Sequence, residues 1–282
     1  MKRWIRRIAA ALLIVLLFLV GGVYAVLSSF SEGDRDIGVP RDSVVIDAQH
    51  TVSFLHTGAA AAPRLIYVHG SPGSAVAWSR YLTHPQEGYE SIAIDRFGFG
   101  RSVPKTPVAS LSEQAKAIEP FLVERDGKWP ILVGHSLGGP IICKAAIDNP
   151  GKVGGLVILA GALSPALEKV HWYQRLAEFW FVPSMLPIDW RNSNRELLPL
   201  KGELEAMSDQ LAKISCPVVI IHGTKDVLVP VANVDFMRAH FSSDVLIEVV
   251  TVDDQNHFLP WTFEVGVRDA IRKVASAQTA SK

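Results

Sequence analysis

Hydrophobic positions along this chain fall into short unbroken runs separated by polar, turn-forming stretches. Five runs are apolar at consecutive positions and rich in β-branched residues: RLIYVHG (64–70), SIAID (91–95), PILVGH (130–135), VGGLVILAG (153–161) and CPVVIIHG (216–223). A strand with one wet face alternates apolar and polar residues. An unbroken run marks a strand covered on both faces, as in a parallel sheet between two helical layers. SVVIDA (43–48) and TVSFLHTG (51–58) read as an opening pair of strands, and VLIEVVTV (245–252) as a last one. Helical patterns lie between them, at about 110–126, 137–148, 230–241 and 263–277. Strand alternating with helix predicts a doubly wound α/β domain.

One stretch breaks the alternation. Residues 163–213 separate two strands by far more chain than a crossover needs, and they carry His171, Trp172, Tyr173, Phe179, Trp180, Phe181 and Trp190. The pattern predicts a helical cap inserted over the sheet, with the core divided into 43–162 and 214–282. Trp172, Tyr173, Phe179 and Trp180 are the candidate substrate-binding residues, as the walls of an apolar acyl or aromatic pocket.

The N-terminus is set apart. MKRWIRR is basic, and IAAALLIVLLFLVGGVYAVL (8–27) follows with no charge for twenty residues, enough to cross a bilayer core. The expectation for 1–27 is a transmembrane anchor with its basic flank in the cytoplasm. The rest of the chain then lies outside the cytoplasm, periplasmic if the cell is bacterial. The alternative is a signal peptide cleaved after Ala25, giving a secreted protein. The polar, Gly- and Pro-containing segment 28–42 reads as a linker.

Composition narrows the partners. Lys and Arg total 28 and so do Asp and Glu. Zero net charge argues against a nucleic-acid partner, since phosphate binding needs a basic excess. The two cysteines, Cys143 and Cys216, lie beside apolar stretches and form no metal-ligand spacing,. They read as small buried hydrophobes. No metal or organic cofactor is implied; the partner is a small, lipophilic substrate.

The chemistry centres on GHSLG (134–138), a G-x-S-x-G sequence that ends a strand and opens a helix, the context in which such a serine acts as a nucleophile. Gly134 and Gly138 leave room for a sharp turn at Ser136, and the helix that follows aims the Leu137 N–H at a developing oxyanion. A serine hydroxyl is a weak nucleophile and needs a base held by an acid. Asp226 in IIHGTKDVLVP and His257 in DDQNHFLPW each lie just past a later strand, in the order Ser, Asp, His. The loop HGSPGS (69–74) offers the second oxyanion donor. Pro72 has no N–H, which leaves the Ser71 amide, with Gly73 as the other choice. Asp95 and Arg96 in DRFGFGRS read as residues that tie loops together.

HGSPGS, DRFGFGRS, GHSLGG, HGTKD and NHFLPW together resemble the α/β-hydrolase superfamily over roughly residues 43–277. The resemblance implies a mostly parallel eight-stranded sheet with helices on both faces and a cap after the sixth strand. It implies Ser136 as nucleophile, His257 as base, Asp226 as acid, and the amides of Leu137 and Ser71 as the oxyanion hole. Haloalkane dehalogenases and epoxide hydrolases carry Asp where this chain has Ser136. Ser71 departs from the glycine-richer HGGPG loop of proline iminopeptidases. The expectation is a carboxylic-ester hydrolase of esterase or lipase type, with carbon–carbon bond hydrolysis or another acyl transfer on the same triad as the alternative.

Overall fold

The computed structural model describes residues 20–29 and 35–280, together with positions 4, 7 and 18. One eight-stranded sheet organises the chain, in the order β1-β2-β4-β3-β5-β6-β7-β8. The strands are β1 (Arg41–Val45), β2 (Thr51–Thr57), β3 (Arg64–Val68), β4 (Glu90–Ile94), β5 (Ile131–His135), β6 (Gly155–Leu159), β7 (Val218–Gly223) and β8 (Leu246–Val252). β1 and β2 pair antiparallel, as β2 does with β4, and from β3 to β8 every pairing is parallel. The α/β class and mostly parallel sheet expected from the apolar runs are therefore present.

The runs are continuous because alternate residues feed two cores. On one face Ile66, Val68, Leu132, Leu156, Ile158, Val218 and Ile220 are buried in a single cluster. On the other, Leu65, Tyr67, Ile131, Val133, Val157, Leu159, Val219 and Ile221 are buried in a second. The period of two along a strand is intact, but both faces are dry.

The helices are α1 (Ser79–Thr83), α2 (Leu111–Lys116), α3 (Gly138–Asp148), α4 (Trp172–Leu176), α5 (Ile188–Leu197), α6 (Leu200–Ser208), α7 (Asn233–His240), α8 (Leu259–Thr262) and α9 (Glu264–Ala280). Residues of α2, α3, α6 and α7 cover the first face; residues of α1, α8 and α9 cover the second. The helix expected over 110–126 is shorter. It starts where the Ser110 side chain accepts from the Glu113 N–H, ends at Lys116, and gives way to a 3-10 turn at Glu119–Phe121. Pro120 explains the break, since it cannot donate to the helical ladder. α1, and the 3-10 turn at Ala75–Trp78 before it, were not visible in the pattern.

Between β6 and β7 the chain holds α4, α5 and α6. α6 buries Leu200, Leu204 and Met207 in the first core, whereas α4 buries no residue. Most of the membrane or signal segment expected over 1–27 lies outside the described residues. Residues 20–29 are helical, and the carbonyl of Leu27 accepts a 2.8 Å hydrogen bond from Trp190 Nε1 on α5. Among the described residues, no helix is long and apolar enough to cross a membrane.

Candidate active site

Ser136 follows the last residue of β5 and sits at φ 53°, a left-handed conformation that costs a non-glycine residue energy and persists only when its surroundings impose it. They do: the Ser136 N–H donates to Leu159 O (2.9 Å) on the neighbouring strand, and Ser136 O accepts from the Gly139 N–H (2.9 Å). Both glycines of the motif are required by close backbone. A Cβ on Gly134 would stand 2.4 Å from Gly138 O, and one on Gly138 would stand 2.3 Å from Val68 O. Strand and helix thus meet at a turn too tight for a side chain at 134 or 138.

His257 and Asp226 come together beside this turn. His257 Nδ1 lies 2.7 Å from Asp226 Oδ2. Oδ1 of the same carboxylate accepts from the N–H groups of Leu228 (2.9 Å) and Val229 (2.8 Å). Burial raises the Asp226 pKa, but the hydrogen bond and charge of His257 and the Val229 amide outweigh it, so the net shift is downward. An ionised carboxylate only accepts, so Nδ1 of His257 is the donor, and in the neutral ring the lone pair falls on Nε2. That is the tautomer a general base needs.

His135, the residue before Ser136, braces His257. Its Nε2 lies 2.9 Å from His257 O, and the two rings are 4.7 Å apart. Burial, then the neighbouring His257, lower its pKa to about 3. His135 therefore stays neutral and acts as scaffold. His222, on β7, is fully buried with Nε2 2.9 Å from Val229 O and 3.6 Å from Asp226 Oδ2. Burial lowers its pKa too. Sequence reading passed over both histidines because each sits inside a strand run, where the pattern marks only core.

The HGSPGS loop lies directly over Ser136. A Cβ on Gly70 would be 2.8 Å from Ser136 Cβ, which places the HGSPGS backbone, and Ser71 after it, against the serine. Leu137 is the N-cap residue of α3, so its N–H is among the donors at a helix start that no intrahelical carbonyl claims. His69 is buried. Its Nε2 accepts from the Arg96 N–H (3.1 Å), and its Nδ1 lies 2.8 Å from Gly70 O, so the proton is on Nδ1. Burial and the Arg96 charge hold its pKa well below the usual imidazole value. It shapes the loop as a neutral ring. Asp95 accepts from Arg41, the Ala75 N–H and the Arg101 N–H, the tying role expected of it.

The four aromatic residues read as pocket walls are on the exposed side of the cap. Trp172, Tyr173, Phe179 and Trp180 are 75%, 54%, 64% and 83% exposed, with edge-on ring pairs at Trp172–Tyr173 and Trp180–Phe181. Aromatic content marked the cap but carried no information about which way these side chains face. Among the described residues, no group of three His, Cys, Asp or Glu side chains is placed to hold a metal ion.

Residues 63–181 match the family model described as the alpha/beta hydrolase fold. A dihydrolipoyllysine-residue acetyltransferase component of an acetoin cleaving system from Cupriavidus necator is 29% identical over 92 residues, 33% of this chain and 25% of that one. A non-heme chloroperoxidase from Streptomyces lividans is 24% identical over 217 residues, covering 60% of this chain and 76% of its own. The chain thus spans a quarter of the length of one curated relative and about three quarters of the other. Among solved structures, a membrane phospholipase A described as a novel bacterial virulence factor aligns over 99% of both chains, with a TM-score of 0.63 at 20% identity. That likeness speaks for the fold. Residues 63–181 thus match the alpha/beta hydrolase fold, and the sheet order and the GHSLG turn agree with the resemblance to the α/β-hydrolase superfamily.

Proposed function

We propose that this protein is a serine hydrolase that cleaves a carboxylic ester with an apolar acyl or aromatic part through an acyl-enzyme. The observation that carries the reading is the 2.7 Å His257–Asp226 hydrogen bond, which leaves a basic Nε2 on a ring packed against the residue preceding Ser136. His257 takes the Ser136 proton as Oγ attacks the acyl carbon. The carbonyl oxygen becomes an oxyanion held by the amides of Leu137 and Ser71. His257 then gives its proton to the departing alkoxide, which leaves as the alcohol. Water, deprotonated by the same nitrogen, attacks the acyl-enzyme; the acid departs and the proton returns to Ser136. Asp226 holds the tautomer and stabilises the imidazolium. The further proposal, from the basic flank and the apolar segment 8–27, is that the enzyme is anchored to a membrane with this domain outside the cytoplasm.

The test is hydrolysis of chromogenic acyl esters from acetyl to palmitoyl by the full chain and by Ser136→Ala. Turnover that falls by about 10⁴-fold or more in the variant is expected. Activity within tenfold of wild type removes Ser136 from the mechanism. A folded wild type that turns over no ester, yet cleaves a β-diketone, moves the reading to carbon–carbon bond hydrolysis.

A further inference from the structure

Buried polar contacts fix one face of cap helix α5 to the body. Asn192 Nδ2 donates to Gly98 O (2.7 Å) and Lys105 O (2.8 Å). One turn on, Glu196 is 2% exposed and accepts both terminal nitrogens of Arg96, each at 2.9 Å. Arg96 is itself fully buried, and it also donates to His69 O (3.0 Å) and to Gly70 O (2.9 Å). The Ser71 hydroxyl donates to Glu196 Oε1 and lies 2.8 Å from Ser193 Oγ.

The loop over the nucleophile is thus suspended from Arg96 at two consecutive carbonyls, and Arg96 is aimed by Glu196. Ser71, whose amide is the second oxyanion donor, is tied to the same carboxylate through its side chain. Withdrawing a carboxylate and a guanidinium from water is costly, and a well-packed apolar pair often serves stability as well or better. What an apolar pair cannot do is fix the direction of four donors. Catalysis needs that direction, because an oxyanion donor works only when it is pointed before charge develops.

We propose that Glu196 is a positioning residue for the oxyanion hole. Through Arg96 and the Ser71 hydroxyl it makes the aim of the Ser71 amide depend on cap helix α5 being seated. When α5 is displaced, Arg96 loses its buried partner, the Ser71 tether is released and the hole loosens. A change in the cap therefore reaches the reacting carbonyl without touching the triad. This rests on the serine-hydrolase reading above.

The test compares full-length wild type, Glu196→Gln, Asn192→Ala and Ser71→Ala. The readouts are kcat and KM on a short-chain p-nitrophenyl ester, inhibition by phenylboronic acid, and Tm. The boronate adduct on serine is tetrahedral and occupies the hole. Gln keeps the size of Glu196 but presents an amide donor where Arg96 and Ser71 also donate. In Glu196→Gln, kcat is expected to fall by about 10- to 100-fold and the boronate Ki to rise in parallel, with KM within about threefold. Asn192→Ala, which removes the other buried contacts that seat α5, is expected to lower Tm and to lower kcat and raise the boronate Ki in the same direction as Glu196→Gln, by a smaller factor. Ser71→Ala keeps the amide and loses the tether. It is expected to lower kcat about three- to tenfold, and it decides the matter if Glu196→Gln does not fold.

A folded Glu196→Gln with kcat and Ki within twofold of wild type overturns the proposal. So does Ser71→Ala within twofold, or an Asn192→Ala variant whose Tm falls while kcat and the boronate Ki stay within twofold of wild type. Labelling by a fluorophosphonate separates the two levels. No labelling of Ser136 in wild type sinks the serine-hydrolase reading itself. Equal labelling rates in wild type and Glu196→Gln sink only the role of Glu196.

Discussion

Gly70 lies so close to Ser136 that a Cβ on it would stand 2.8 Å from Ser136 Cβ and 3.3 Å from His135 O. Heavy atoms do not pack at the first distance, so any side chain at 70 must push the 69–74 loop off Ser136. The neighbours give little way, because Gly70 O is held by Arg96 Nη2 at 2.9 Å. Gly70→Ala is therefore expected to lower kcat by about 100-fold, the scale of a misplacement near 1 Å in an active site. Steady-state kinetics beside a Tm measurement check this. A folded variant with kcat near wild type would mean that the loop is not part of the site.

The legibility of this chain in its sequence follows a physical division. Strands buried on both faces announce themselves as unbroken apolar runs, and Ile131–His135 and Val218–Gly223 fell within one or two residues of expectation. Ser136 was legible because its strained turn demands Gly134 and Gly138, which the motif records. Asp226 and His257 were legible as polar residues just past strand ends, in a fixed chain order. Glu196 was not legible. It is one acidic residue on a cap helix, and its partner Arg96 is 100 positions away in sequence. His135 and His222 were hidden inside strand runs. The facing of Trp172 and Trp180 was hidden because hydrophobicity predicts burial only when a partner surface exists.

Three buried histidines give the fold an acid limit. His69, His135 and His222 all have lowered pKa values, with burial as the first cause in each. In the unfolded chain an imidazole takes up its proton near pH 6.5, whereas folded His135 stays neutral down to about 3. Between those values the unfolded state binds more protons, so stability falls as pH drops, by about 1.4 kcal/mol per pH unit for each such group. Asp226 acts in a lower window. Its folded pKa lies below 3.8, so its contribution is complete above that pH and is lost as pH falls further. The denaturation midpoint is expected to decline from pH 6.5 towards pH 3, and His135→Gln, which does not titrate, is expected to flatten that slope by up to about one proton. Urea titrations at half-unit pH steps measure it. An identical slope in the variant would show that His135 gains its proton without unfolding.

The cap aromatics allow a direct contrast between exposure and function. Trp172 and Trp180 are 75% and 83% exposed, so truncating them removes little buried area and opens no cavity. Each Trp→Ala change is expected to alter stability by no more than about 0.5 kcal/mol. If substrate reaches Ser136 beneath α5, turnover of a short acetyl ester is also expected to stay within about twofold, since such a substrate is too small to extend to an outer face. A loss on palmitoyl esters alone would place these rings along the path of a long acyl chain. A tenfold loss on the acetyl ester would place them at the acyl site itself, and would require the cap to close over the serine with Trp172 and Trp180 turned inward. Parallel kinetics on the two esters, with Tm as the control, separate these outcomes. The comparison also locates the walls of the acyl pocket, which aromatic content alone could not do.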